Sequence, residues 1–261
     1  LSKLKLQFLF IIIIVQFVAN AKNRILFILI NMTNVMIRQP GYMPNIGFFK
    51  KIQSSEVFVF LDDAQFVKDR FDNRNKIRTN EGYRWITVPI KRPVFAKKLN
   101  EINVSYDSNW LEEHSDLIFE SYHKTDYFSS YWDSIRKILE KKYEKLADLN
   151  INLINYFNSE LKISTNTVLS SKFNISKTKT EKLVNICSNV NATCYISGVS
   201  GHDYLDEELF LQSNIKLIYE NFIHPKYNQI HGGFIENMSI IDLLMNTGER
   251  SRKILSDTKN L

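Results

Sequence analysis

Asp62 and Asp63 follow the β-branched and aromatic run EVFVFL at 56–61. Carboxylates at the end of such a strand can hold Mg²⁺ beside a phosphate or act as a general base, although adjacent aspartates there are also ordinary turn chemistry. Just downstream, Arg70, Arg74, Lys76 and Arg78, with Asn73 and Asn75 between them, offer donors to a phosphate or carboxylate. A third group, Ser197, Ser200, His202, Asp203 and Tyr204, crowds around Gly198 and Gly201, which allow a ligand close to the backbone. A fourth is Gln39-Pro40-Gly41-Tyr42. It lies in the segment 37–49, which concentrates turn residues in a chain holding only 8 Gly and 5 Pro among 261 residues. His224, before Pro225 in a polar stretch, is the histidine placed for proton transfer. His114 and His123 fall on amphipathic helices and read as structural. The chain has no Ser-His-Asp order, Walker loop, GxGxxG or HExxH pattern. Cys187 and Cys194, the only cysteines, lack partners at metal-ligand spacing and read as reduced thiols, so no metal ligand set is expected.

The elements that must position these residues alternate between strand and helix patterns. Strands are expected at 35–39, 56–61, 84–90, 165–170, 193–197 and 216–222, and helices at 47–54, 111–123, 131–146, 151–161, 180–188, 206–213 and 239–245. This predicts an α/β fold with an open, mainly parallel sheet, a single domain over 32–261 and a helical insertion at about 107–163. In such sheets ligands bind beyond the carboxyl ends of the strands. The ends after 39, 61 and 197 therefore form one candidate site.

The net charge is +6, but residues 1–31 carry Lys3, Lys5, Lys22 and Arg24 with no acidic residue, leaving +2 for the remainder. So small a charge gives no reason to expect a nucleic-acid partner. Residues 1–31 read as an extension outside the core that precedes Met32. The alternative is a secretory signal or membrane anchor, since a basic start, an apolar centre and Ala19-Asn20-Ala21 occur in order. Stable membrane insertion of the core is not expected, and the body is placed in the cytoplasm, or outside it if the extension acts as a signal.

Five ordered blocks, QPGYMPNIGFFKKI, VFVFLDDAQFVKDRFDNRNKI, YRWITVPI, YISGVSGHDYLDEELF and SIIDLLMNTG, resemble the WbqC-like family. The resemblance runs from about Val35 to Gly248. It implies a cytosolic role in surface-polysaccharide (O-antigen) biosynthesis, with acyl or aminoacyl transfer to an amino sugar or sugar nucleotide as its most concrete form. It maps onto Gln39, Pro40, Tyr42, Pro44 and Gly47; Asp62, Asp63 and Gln65; Asn73, Arg74, Asn75 and Lys76; Ser197, Gly198, Gly201, Asp203, Tyr204 and Asp206; and Asp242 with Asn246. Arg38 stands where that family often has His, and Asn45 where Trp is usual. A weaker likeness to HxGH nucleotidyltransferases, with Asn45-Ile46-Gly47-Phe48 in the corresponding place, suggests a Rossmann-like scaffold.

Three readings follow. In the first, a transferase binds a small sugar or sugar nucleotide, with Asp62, Asp63 and His224 as catalytic candidates. Gln39, Tyr42, Gln65, Arg74, Asn75, Lys76, Ser197, Gly198, Ser200, Gly201, Asp203 and Tyr204 would bind substrate or phosphate. In the second, an ATP- and Mg²⁺-dependent nucleotidyltransferase or ligase uses the same end of the sheet, which makes nucleotide and Mg²⁺ the candidate cofactors. In the third, the chain is a non-catalytic binding or assembly protein.

Overall fold

The computed structural model describes residues 33–259, so the expectation for residues 1–31 lies outside the described residues. Strands β1 (Asn34–Arg38) and β2 (Val57–Phe60) are short apolar runs whose successive side chains enter opposite layers. Val35 and Val59 join one buried cluster, while Met36, Phe58 and Phe60 join the other. A parallel strand buried on both faces requires this continuous apolar pattern.

Helix α1 (Ile46–Gln53) begins at Asn45, whose side chain accepts from the Phe48 backbone N–H at 3.3 Å. It buries Phe48, Phe49 and Ile52 against the larger cluster. That cluster also takes up α2 (Trp110–Tyr122), α3 (Phe128–Glu140), α4 (Leu146–Glu160), α7 (Ile240–Thr247) and α8 (Arg250–Asp257). On the other face lie α5 (Lys179–Asn189) and α6 (Glu207–Gln212), the latter capped by Asp206.

With β5 (Asn166–Leu169), β6 (Cys194–Gly198) and β7 (Lys216–Glu220), the five strands are all parallel, in the order β5-β2-β1-β6-β7. The chain winds outward from β1 to β5, returns to the centre, and winds the other way through β6 and β7. Direction reverses between β1 and β6, the place where open α/β sheets form a ligand crevice. The seam there is short. Only Asn34–Cys194 and Val35–Tyr195 pair across it, whereas β1–β2 has four paired positions and β6–β7 five.

Two expectations are corrected. The segment 84–90 does not join the main sheet but pairs with the basic cluster before it. Together they form an antiparallel hairpin of β3 (Arg74–Thr79) and β4 (Gly82–Thr87). Gly82, at φ 122°, supplies a turn conformation that a side chain disfavours. The hairpin buries Asn75, Ile77 and Ile86 and leaves Tyr83 and Trp85 exposed. The helix expected at 131–146 ends early, because Lys142 takes a left-handed φ of 50° and Leu146 opens α4. Helix α8 was not expected. Among the described residues no helix is long and apolar enough to cross a membrane.

Candidate functional site

The carboxyl ends of β1, β2 and β6 border a cleft of about 1230 Å³, whose lining carries seven basic and three acidic side chains. The balance favours an anionic ligand. At its floor stands Arg38, the last residue of β1. Solvent reaches this side chain although protein surrounds it, and desolvation lowers its pKa. Its guanidinium makes no hydrogen bond or ion pair to another of the described residues.

Asp72 shares the cleft and is 5% exposed. Burial raises its pKa to about 6, against the opposing influence of the Val67 backbone N–H and the Arg70 and Arg38 charges. Its Oδ2 is itself buried and has no hydrogen-bond partner among the described residues. A buried carboxylate with an orphaned oxygen costs free energy, and such residues cluster at functional sites.

Asp72 is held in place through its backbone. Asn150 Nδ2, from α4, donates to Asp72 O at 2.7 Å and to Pro40 O at 2.9 Å, joining the segment before β3 to the turn after β1. Alongside, Tyr42 N donates to Phe71 O at 3.0 Å. A Cβ on Gly41 would lie 3.0 Å from Phe71 O, too close for a backbone atom that cannot turn aside. Gly41→Ala is therefore expected to cost about 1–3 kcal/mol, read as a lowered urea midpoint at unchanged slope.

Asp63 also lines the cleft, but both Asp62 and Asp63 are committed to protein partners. Asp62 accepts from Ser171 N (3.0 Å), Ser171 Oγ (2.6 Å), Ser170 Oγ (3.1 Å) and Asn100 Nδ2 (3.4 Å). Asp63 accepts from Ser170 Oγ and pairs with Lys182 Nζ at 2.6 Å. Burial pushes the Asp63 pKa upward, but hydrogen bonds from Lys182 and Ser170 and the charges of Lys182 and Lys98 outweigh it, leaving a net lowering. These carboxylates do not fit a Mg²⁺ site, since an ammonium and hydroxyls already occupy their oxygens. Asp63 is also a poor base, being held in its ionised form.

Lys51, on α1, touches the Glu220 carboxylate at the end of β7. Burial and the Arg38 charge push its pKa down to about 8. An ion pair with Glu220 favours the charged form of the lysine.

Of the other expected site residues, Gln39, Gln65, Ser200 and Tyr204 line the cleft, with Gln39 Nε2 donating to Gln65 O at 3.3 Å. Asn75 borders it, but its Nδ2 is taken by Tyr42 O and Met43 O. Tyr42 is in the core rather than the cleft, its hydroxyl 3.1 Å from His114 Nδ1. Arg74 and Lys76 lie over the aromatic rings of β4. Ser197 is buried with its Oγ donating to Gly198 O, and Gly198 lies outside the cleft lining, near Lys51 Nζ. At Gly201 a side chain would meet Leu205 and Tyr219 at 3.0 Å, so packing rather than ligand approach accounts for this glycine. Asp203 ends a short 3₁₀ turn on the surface. His224 sits apart from the cleft, with Nδ1 donating to Pro225 O at 2.8 Å and Nε2 accepting from Asn237 N; burial lowers its pKa.

Sequence reasoning marked Arg38 only as a departure from the family pattern, and missed Asp72 and with it Lys51, Lys98, Lys177, Lys179 and Lys182. A signal for the last three existed in the lysine-rich run that leads into the first turn of α5. Asp72 was hidden as the one acidic residue within RFDNRNKIR.

Comparison with known proteins agrees with the geometry in extent. An uncharacterized protein of Mycobacterium tuberculosis, Rv1507c, is 34% identical over 220 residues, covering 83% of this chain and 95% of its own. No solved structure matches the chain. The family model matches residues 39–254, from the turn that follows Arg38 through the cleft-forming strand ends and into α8. The chain belongs to the WbqC-like protein family.

Proposed function

We propose that the cleft is the active site of a transferase that binds a phosphate-bearing donor or sugar nucleotide and moves an acyl or aminoacyl group onto an amino sugar. One observation carries this reading: a guanidinium with no hydrogen-bond or ion-pair partner among the described residues, Arg38, and a buried carboxylate whose Oδ2 likewise has none, Asp72, line one basic cleft at the strand-order reversal. The order, 3-2-1-4-5 when the parallel strands are numbered along the chain, is that of Rossmann-like sheets, which supports a nucleotide-bearing substrate. Family membership supports surface-polysaccharide synthesis, a cytoplasmic task.

In this mechanism Arg38, Arg70 and Lys98 hold the anionic group. The acceptor amine attacks the acyl carbonyl, forming the C–N bond as the bond to the leaving group breaks and that group departs with the electron pair. The Asp72 carboxylate takes the amine proton. A base with pKa about 6 is ionised at neutral pH, so turnover is expected to rise through about pH 6 and then level.

Inorganic pyrophosphate tests the anion site. Calorimetric titration should give one binding event, weakened about tenfold or more in Arg38→Gln, since a charge-assisted hydrogen bond contributes about 1.5–3 kcal/mol. Equal affinity in both proteins would remove Arg38 from the site. A nucleotide-induced rise in melting temperature that requires Mg²⁺ would favour the nucleotidyltransferase alternative.

A further inference from the structure

Outside the cleft, the β3–β4 hairpin carries a second unusual surface. Its outer face exposes Tyr83 (47%) and Trp85 (40%), and Phe71 beside it is 47% exposed. Phe71 and Trp85 have ring centroids 5.7 Å apart, and Trp85 and Tyr83 6.5 Å. Cations are set among them. The Arg74 guanidinium lies 4.5 Å from the Trp85 centroid, and Lys76 Nζ lies 4.8 Å from Tyr83 and 5.9 Å from Trp85. The register explains the assembly, because Lys76 opposes Trp85 and Arg78 opposes Tyr83 on one face of the pleat. Three exposed rings in a row leave apolar area in water that folding does not need. Phe71 also lines the cleft, so the row is continuous with it.

We infer that this row is the acceptor subsite, a platform for a saccharide chain carrying acidic groups that runs from the cleft across Phe71, Trp85 and Tyr83. A pyranose ring presents a face of C–H groups that suits the negative face of an aromatic ring. Its hydroxyls and carboxylates take hydrogen bonds and charge chiefly from Lys76, since the Arg74 guanidinium is paired with Asp69 at 3.3 Å. Single-stranded nucleic acid is the other polymer that uses rings and cations together, but two observations disfavour it. The ring planes turn by 44° and then 85° along the row, which suits sugars joined through rotatable links better than a stack of parallel bases. Only two cations flank the rings, whereas nucleic-acid affinity depends on neutralising many phosphates. The acceptor role rests on the transferase reading of the cleft; saccharide binding by the platform does not.

Intrinsic fluorescence gives a local probe, because Trp110 and Trp132 are buried and Trp85 is the exposed tryptophan. Titration with hyaluronate hexasaccharide is expected to shift the emission, and oligothymidylate is expected to leave it unchanged. By calorimetry, Trp85→Ala and Tyr83→Ala should each weaken the hexasaccharide about tenfold, with melting temperature and pyrophosphate affinity preserved. Absence of hexasaccharide binding, an affinity unchanged in both variants, or preferential binding of oligothymidylate at Trp85 would overturn the inference. Pyrophosphate failing to bind the unaltered protein would instead count against the cleft reading, leaving Trp85-dependent saccharide binding as evidence for the platform.

Discussion

Asp72→Asn is expected to lose most of the turnover, about 10²–10⁴-fold for a general base, and at the same time to make the protein more stable by about 3 kcal/mol near pH 7.5. Both effects have one origin. The folded protein raises the Asp72 pKa from 3.8 to about 6 because ionising it places a buried charge with one oxygen unpartnered. Roughly two pKa units correspond to about 3 kcal/mol. At low pH the folded and unfolded forms both hold the proton, and the group imposes no penalty. As pH rises from about 4 through about 6, the unfolded chain releases its proton before the folded one, so this group's relative stabilisation of the folded state is lost. Asparagine is neutral throughout and keeps an oxygen for the Val67 N–H. Urea unfolding should therefore separate the two proteins by about 3 kcal/mol near pH 7.5 and by little near pH 4. Equal stability at both values would show that the carboxylate is not strained.

Asn150→Ala carries the largest expected loss of stability, about 2–6 kcal/mol. The side chain is fully buried, and its amide nitrogen serves the carbonyls of Pro40 and Asp72 together. Removing it leaves two buried acceptors unsatisfied, at about 1–3 kcal/mol each, and water has little access to replace it. The denaturant midpoint should fall at unchanged slope. A change below about 1 kcal/mol would mean that the turn after β1 and the segment before β3 hold their positions independently.

Much of the fold was legible because parallel strands and amphipathic helices announce themselves through burial. The VFVF run and the spacing of Phe48, Phe49 and Ile52 needed no tertiary information to be read. The hairpin was harder. In Arg74-Asn75-Lys76-Ile77-Arg78 the residues do alternate, but the inward positions include Asn75 and Thr79, so hydrophobic period two was faint and the basic residues drew attention instead. At the site, the ends of β1, β2 and β6 led to Gln39, Gln65, Ser200 and Tyr204 in the cleft. Strand ends alone do not reveal which way a turn residue faces, and Tyr42 and Ser197 turned inward. Asp72 and Lys182 come from a loop and from a helix on the opposite face of the sheet, and only the packed chain brings them to the same cleft.

The seam between β1 and β6 has a mechanical consequence. Beyond Val35 and Tyr195 the two strands no longer share rungs, while each stays laddered to its outer neighbour. The sheet is thus joined across this seam by two backbone rungs and by the shared packing of Val35, Val59 and Tyr195, and the unladdered part of the edge leads to Arg38. A ligand seated there touches residues from both sides of the seam at once, so it supplies the cross-seam contacts that the missing rungs do not.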